Sequence, residues 1–256
     1  MPDSDSERVA AHCRKHLDLK SLKLGEEYFY RSLPLCVVDS VFSIGVNFKG
    51  VQNTVRRCCD YLQSKHVKPQ IKTLREKGNE LPLEEEQISI ESFLKALEGL
   101  SVEQLADDVF VNRQRTSTRS GILKADAVRR FAAVLCENDI NFFQDIERLL
   151  TKEFETKLAK IEKEICEIPG QKSGISTTYF FMLAGSDDKI KPDRMVLRFL
   201  EDALSRPKGA IGLRKAQNLV SEAVKHLKSE RPDLNARLLD YGIWSFQRQQ
   251  PKRSLK

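Results

Sequence analysis

Two short stretches of a 256-residue chain hold residue types that could do chemistry. The first is Pro169-Gly170-Gln171-Lys172-Ser173-Gly174, between an amphipathic run ending at Glu167-Ile168 and an apolar run beginning at Ile175. Proline and glycine there make a tight turn between two helices, and the N–H groups opening the second helix lack intrahelical partners. With the helix dipole behind them, such groups bind anions, a DNA phosphate among them. A contact of that kind fixes register and reads no sequence; a Pro-Gly turn is also an ordinary connector. The second stretch centres on Asp193, which Pro192 places at the start of a helix, 19 residues after Gly174. A carboxylate there is either an N-terminal cap or an acid offered to a substrate.

Cations are concentrated in two blocks. Asn112–Arg130 has six Lys+Arg against Asp126 alone, and Lys191–Lys256 has 15 Lys+Arg against 7 Asp+Glu, within an overall charge of +6. Such blocks suit phosphate, as they suit a solvated helix face. Arg113, Arg115, Arg119, Lys124 and Arg194 are the candidate phosphate contacts. Asn47, Phe48 and Gln52 combine amides with an apolar wedge, the chemistry that meets a flipped-out nucleotide, and equally that of a loop packed on its own domain. Asn112 is a candidate pocket amide, and Tyr179 a candidate pocket wall on a run that is otherwise core. Asp187 and Asp188 read as solvated loop acids, Asp39 as the wet face of its helix, and Trp244 as a packing anchor. Of the four histidines only His12 and His16 have a ligand spacing. The six cysteines (13, 36, 58, 59, 136, 166) sit mostly in apolar helical patterns as small hydrophobes, and vicinal Cys58 and Cys59 cannot both face one core. With no C-x₂-C pair, they argue for a reduced compartment and against zinc or iron–sulfur sites.

The elements that must position these residues are helices. Apolar residues recur at helical spacing from Ser6 to Leu22, and from Pro34 to Gln63 with a bend at Gly45–Phe48. Ser89–Leu97 and Ser101–Asp107 open on capping serines. Further helices are expected at Lys124–Asn138, Phe142–Leu150, Glu153–Ile168, Ile175–Ala184, Lys191–Leu204, Leu213–Lys228 and Pro232–Arg248. Period-two alternation is nowhere long enough for a sheet, so the fold class is all-α. Val67–Gln87, with three breakers and an acidic run, reads as a surface excursion. No apolar run reaches membrane length, and the acidic N-terminus is unlike a secretory signal. A cytoplasmic protein, nucleoid-associated in a prokaryote, is expected.

Hairpin, apolar helix and aspartate in this order resemble the helix-hairpin-helix superfamily of DNA glycosylases, which includes the endonuclease III, adenine-mismatch and 8-oxoguanine enzymes. Members carry a Leu-Pro-Gly-x-Gly hairpin, an apolar helix, and an aspartate in a Val-Asp-Thr-His-like sequence. Ile168-Pro169-Gly170 matches the hairpin start, and Pro192-Asp193-Arg194-Met195-Val196 takes the place of the aspartate motif. Phe42–Phe48 falls where the family has a loop entering the DNA groove. Asn112–Arg130, with Gly121, falls where it has a glycine-containing segment and a basic helix. The resemblance spans Leu33–Arg206 and is tightest over Ile168–Leu204.

It implies a helix-hairpin-helix glycosylase-like domain, with two helical lobes around a cleft. Its segments would be an N-terminal helical extension (1–32), the core (33–206, with the insert at 67–87) and basic C-terminal helices packed on the core (207–256). Asp193 would be catalytic, stabilising the oxocarbenium-like sugar as the base departs, an interaction made chiefly in the transition state. Gly170, Gln171, Lys172, Ser173 and Gly174 would hold phosphate. The partner would be double-stranded DNA and the protein a monomer. The resemblance allows no cofactor beyond a monovalent cation held by hairpin backbone carbonyls. Three departures refine this. Lys172 stands at the second hairpin glycine. Gly174 stands where bifunctional members have a Schiff-base lysine, which implies a monofunctional enzyme that removes a base without cutting the strand. The iron–sulfur cysteines of the endonuclease III branch are missing, as in cores of the 8-oxoguanine or alkyl-base type. The departures keep a second reading open, a non-catalytic helix-hairpin-helix protein that binds DNA or senses damage.

Overall fold

α2 (Leu33–Phe42) is buried along all ten of its residues. A helix apolar on every side needs neighbours on every side, and α2 has them in this computed structural model, which describes residues 4–46, 48–68, 72–75, 80–118 and 120–250. Around it pack α3 (Phe48–Ser64), α4 (Ile90–Ala96), α6 (Lys124–Glu137) and α9 (Ile175–Leu183). The short α5 (Val102–Gln104) runs into a π turn at Leu105–Val109. α7 (Phe143–Leu149) and α8 (Glu155–Glu167) lead to the hairpin before α9. Phe42 of α2 meets Phe110, just after the π turn, at 5.3 Å, and Phe131 of α6 meets Phe180 of α9 at 5.1 Å between ring centroids.

Together these form the larger of two units into which the chain divides, Glu26–Gly185. The smaller is Met1–Gly25 with Ser186–Lys256. In it α1 (Asp5–His16) packs on α11 (Leu213–Leu227), and α10 (Arg194–Ala203) on α12 (Ala236–Gln249). Its core takes Val9, Cys13 and Leu17 from the first segment and Phe199, Val220 and Leu239 from the second. Asp5 reaches Arg206 (2.8 Å) and Lys215 (3.1 Å), and Arg14 reaches Glu230 (2.6 Å). The divisions at 32/33 and 206/207 read from the sequence are therefore not the contact divisions: the first helix shares a unit with α10, α11 and α12.

The fold is all-α. Among the described residues the β-type pairing is limited to two isolated bridges, Tyr30 with Leu74 and Arg115 with Leu123, and no helix is long and apolar enough to cross a membrane. Two readings are corrected. Asp39 is not on a wet face but fully buried, accepting from the Tyr30 hydroxyl at 2.8 Å. Cys58 and Cys59 are both buried, because α3 is covered by α2 on one side and the π turn on another. The excursion at 67–87 is anchored at its far end: the Gln87 amide, buried, donates to Pro82 O (2.8 Å) and accepts from Phe143 N (3.1 Å).

Candidate functional site

In the larger unit the α8–α9 hairpin is built on two left-handed glycines, Gly170 (φ +87°) and Gly174 (φ +74°). Positive φ costs other residues sterically. Gln171 N donates to Ile168 O and Gly174 N to Gln171 O, each at 2.9 Å, so the turn closes on itself. Gln171 is buried, its side-chain oxygen bonded by the Ser176 hydroxyl. Lys172 and Ser173 are exposed at the tip, and Gly174 is the N-cap of α9. Nine residues of apolar helix follow, seven of them buried, which fixes the turn to the core.

The basic loop is seated on this hairpin. Thr116 N donates to Ile122 O (2.9 Å), Lys124 N to Gln114 O (2.8 Å), and Arg115 Nη1 to Gly121 O (2.8 Å), pinching residues 114–124 into a closed loop. Thr116 lies against Gly170 so closely that a Cβ there would fall 2.3 Å from the Thr116 Cβ. A Cβ on Gly121 would fall 2.1 Å from Ser117 N. Glycine is thus required twice for close approach, once in each segment, and the two segments identified separately in the sequence are in contact.

The cations of that loop divide. Arg113 is exposed and held by Asp107 through two 2.7 Å hydrogen bonds, an acid–base pair that keeps the Asp107 carboxyl below its usual range. Arg115 is exposed beyond its bond to Gly121. Lys124 is only 2% exposed, and its ammonium donates to Phe42 O (3.0 Å), Ile44 O (2.7 Å) and Gln114 Oε1 (3.4 Å). A cation at the C-terminus of α2 satisfies carbonyls the helix leaves open, so Lys124 caps a helix where a phosphate contact was expected. Arg119 and Asn47 lie outside the described residues.

The amides and aromatics divide as well. Asn112 is committed within the unit: its Nδ2 donates to Thr54 Oγ1 and its Oδ1 accepts from Gln114 N, both at 3.0 Å. Gln52 is exposed on α3, whose first residue, Phe48, is half-buried. Tyr179 is core, its hydroxyl 3.4 Å from Asp39. Sequence reasoning missed Val111, an exposed valine at φ +46° beside Asn112. A β-branched residue in left-handed backbone is a strained outlier, and no local sequence signal announces it.

Asp193 belongs to the smaller unit. It is the N-cap of α10, accepting from Met195 N (2.7 Å) and Val196 N (3.3 Å) through Oδ1, with exposed Arg194 next to it. Asp193 N donates to Lys191 O (2.6 Å), and Lys191 N donates to Asp240 Oδ1 (3.1 Å) on α12. Asp240 is buried. Burial first, and the Asp193 carboxylate second, push its carboxyl well above the usual range, against the opposing pull of the Lys191 N–H and ammonium. Gln217 fixes the preceding loop from α11, accepting from Ile190 N (3.2 Å) and donating to Asp188 O (2.8 Å). Asp240 and Gln217 were also missed. The signal for Asp240 was present, an acid between Ala236, Leu239 and Ile243 on an apolar helix face.

Residues 7–248 match the model of a family described as "Domain of unknown function (DUF8548)". The chain belongs to the DUF8548 family. No curated protein and no solved structure matches it. The match takes in both units, so in this DUF8548 chain the hairpin, the basic loop and the Asp193 turn all lie within the family's span. Among the described residues of the DUF8548 domain no group of three or more His, Cys, Asp or Glu side chains is arranged to hold a metal ion.

Proposed function

We propose that this protein is a monofunctional DNA glycosylase, hydrolysing the N-glycosidic bond of a damaged or modified base flipped out of duplex DNA. The observation that carries the reading is the seating of the basic loop on the hairpin through Thr116 and Gly170. It sets the loop that carries exposed Arg115 against the hairpin that carries exposed Lys172 and Ser173. Such a surface suits a phosphate backbone, with the α9 N-terminus adding its dipole. Val111, exposed and strained beside this loop, is the apolar side chain we assign to wedge into the stack. Asp193 supplies the carboxylate that stabilises the sugar cation, and Gly174 leaves no lysine for Schiff-base chemistry at its position.

We assign a monovalent cation to the hairpin carbonyls; those of Ile168 and Gln171 each accept one backbone N–H and have a second lone pair to offer. The cation would steady the turn against phosphate. A second reading is favoured by the capping bonds of Asp193, which explain that residue without chemistry. It is a non-catalytic helix-hairpin-helix protein that binds DNA or senses damage.

One experiment separates the two. Base release is measured on duplexes carrying different lesions, with Asp193→Asn beside wild type and alkali used to reveal abasic sites. Asparagine caps helices as well as aspartate does, so the substitution removes charge and keeps the fold. Release by wild type, with strand breaks only after alkali and a loss of roughly a hundredfold or more in the variant, is the expected result. No release from any lesion, with tight binding unchanged by the variant, would sink the glycosylase in favour of the binding protein.

A further inference from the structure

The last helix, α12, sorts its residues by side. At about 100° of rotation per residue, Leu239, Ile243 and Phe246 fall together on one side. Leu239 and Ile243 belong to the core of the smaller unit, and Phe246 packs against it. Tyr241, Trp244 and Arg248, spaced three and four apart, fall on the opposite side. The outward side of a surface helix is ordinarily polar, so two large aromatic rings there call for an explanation. Tyr241 and Trp244 are half-buried and Arg248 is exposed. Among the described residues neither ring belongs to the hydrophobic side chains that make or line that core.

The three side chains form one surface. The Tyr241 and Trp244 ring centroids are 6.1 Å apart, with planes 28° from parallel. The Arg248 guanidinium lies 5.0 Å from the Trp244 centroid, and among the described residues no carboxylate holds it. Near-parallel rings with a cation beside them make a platform for unpaired bases, with the cation left to meet a phosphate. A base inside a duplex is stacked on both sides and offers no free face, so a ring on a helix surface takes bases from a single strand.

Charge points to the same partner. From Tyr241 to Lys256 the sequence has four cations and no acid. The smaller unit carries 21 Lys+Arg against 13 Asp+Glu, while the larger carries 22 against 24. The excess of positive charge therefore sits in the unit that carries the rings, and it draws a polyanion there. An acidic peptide or a lipid headgroup would satisfy the charge but has no planar faces to lay on the rings. A single strand of nucleic acid has both.

We propose that the Tyr241–Trp244–Arg248 face of α12 binds single-stranded DNA, its bases stacked on the two rings and a phosphate on Arg248. The choice of DNA over RNA rests on the DNA reading given above. The stacking face does not, and it stands if no base release is found.

Trp244 is the single tryptophan of the chain, so its fluorescence reports on this face alone. Titrating the full chain with a thymidine oligonucleotide of about twelve nucleotides, within the usual site sizes, should quench that fluorescence to saturation. The affinity should fall as salt rises. Followed through a label on the oligonucleotide, Trp244→Leu should weaken binding about tenfold or more, while Trp244→Phe keeps most of it. Arg248→Gln should lower the salt slope by roughly 0.7, the share of one phosphate on a single strand. Lys172→Gln, on the hairpin, should leave the quenching as it is. Absence of quenching would overturn the proposal, as would quenching by heparin or by duplex DNA as strong as by the single strand. Tighter binding of the uridine ribo-oligonucleotide would replace DNA with RNA. A blue shift on phosphatidylserine vesicles, without quenching by DNA, would replace it with a lipid surface.

Discussion

Asp240 is the residue whose environment most changes what it can do. Buried beside Asp193, its carboxyl is pushed well above the usual carboxylate range. Its folded value lies above its unfolded one, so its contribution is most favourable below the unfolded value, near pH 4. The contribution is lost as pH rises toward the folded value. Asp240→Asn keeps an oxygen for Lys191 N and has nothing to ionise. Thermal unfolding followed from about pH 5 to about pH 8 should show stability falling in wild type and a flatter profile in the variant, which is the more stable at the upper end. Equal slopes would mean that Asp240 ionises in the folded protein as freely as in the unfolded one. A residue like this is readable from sequence only in part. An acid on an apolar face announces burial, but the Asp193 neighbour comes from a turn 47 positions away. Asp39 shows the opposite failure: its helix is buried all round, so no face was wet, and the Tyr30 hydroxyl donates to its carboxyl there.

Among the elements, the hairpin makes the sharpest demand on sequence. Gly174→Ala meets only the left-handed penalty, about 1–2 kcal/mol, since the nearest atom to its Cβ would be Cys166 Sγ at 3.8 Å. Gly170→Ala adds an overlap with Thr116, whose Cβ would lie at 2.3 Å, and should cost about 2–5 kcal/mol in all. Urea unfolding of the two variants checks the order, and a Gly170→Ala no worse than Gly174→Ala would mean that the loop does not rest on the turn. The helices themselves were legible because 3.6-residue periodicity is local: α6 begins at Lys124 as expected and α9 at Ile175. The seat of the basic loop was not legible, because Thr116 and Gly170 meet across 54 positions and nothing near either one names the other.

For the whole molecule the charge distribution sets the terms of association. The +6 total conceals a stretch from Lys191 onward with 15 cations against 7 acids. Binding to duplex DNA should weaken steeply as salt rises, because each phosphate neutralised releases counterions. Affinity measured across a salt series checks this, and a flat dependence would count against a DNA partner. Which helices share a unit was beyond sequence reasoning for the same reason that Thr116 was: the pairing of α1 with α11 spans most of the chain and leaves no periodic trace.

That pairing also has a consequence in time. The larger unit is one continuous segment, free to fold as it leaves the ribosome, while α1 must wait for partners that begin at Leu213. At about 5–20 residues per second, the delay between α1 and α11 is on the order of ten to forty seconds. Through that interval Val9, Ala10 and Cys13, fully buried in the finished protein, lack the α11 surface that covers them. The nascent chain therefore carries a helix whose apolar face lacks its partner, the condition in which chaperones find a client.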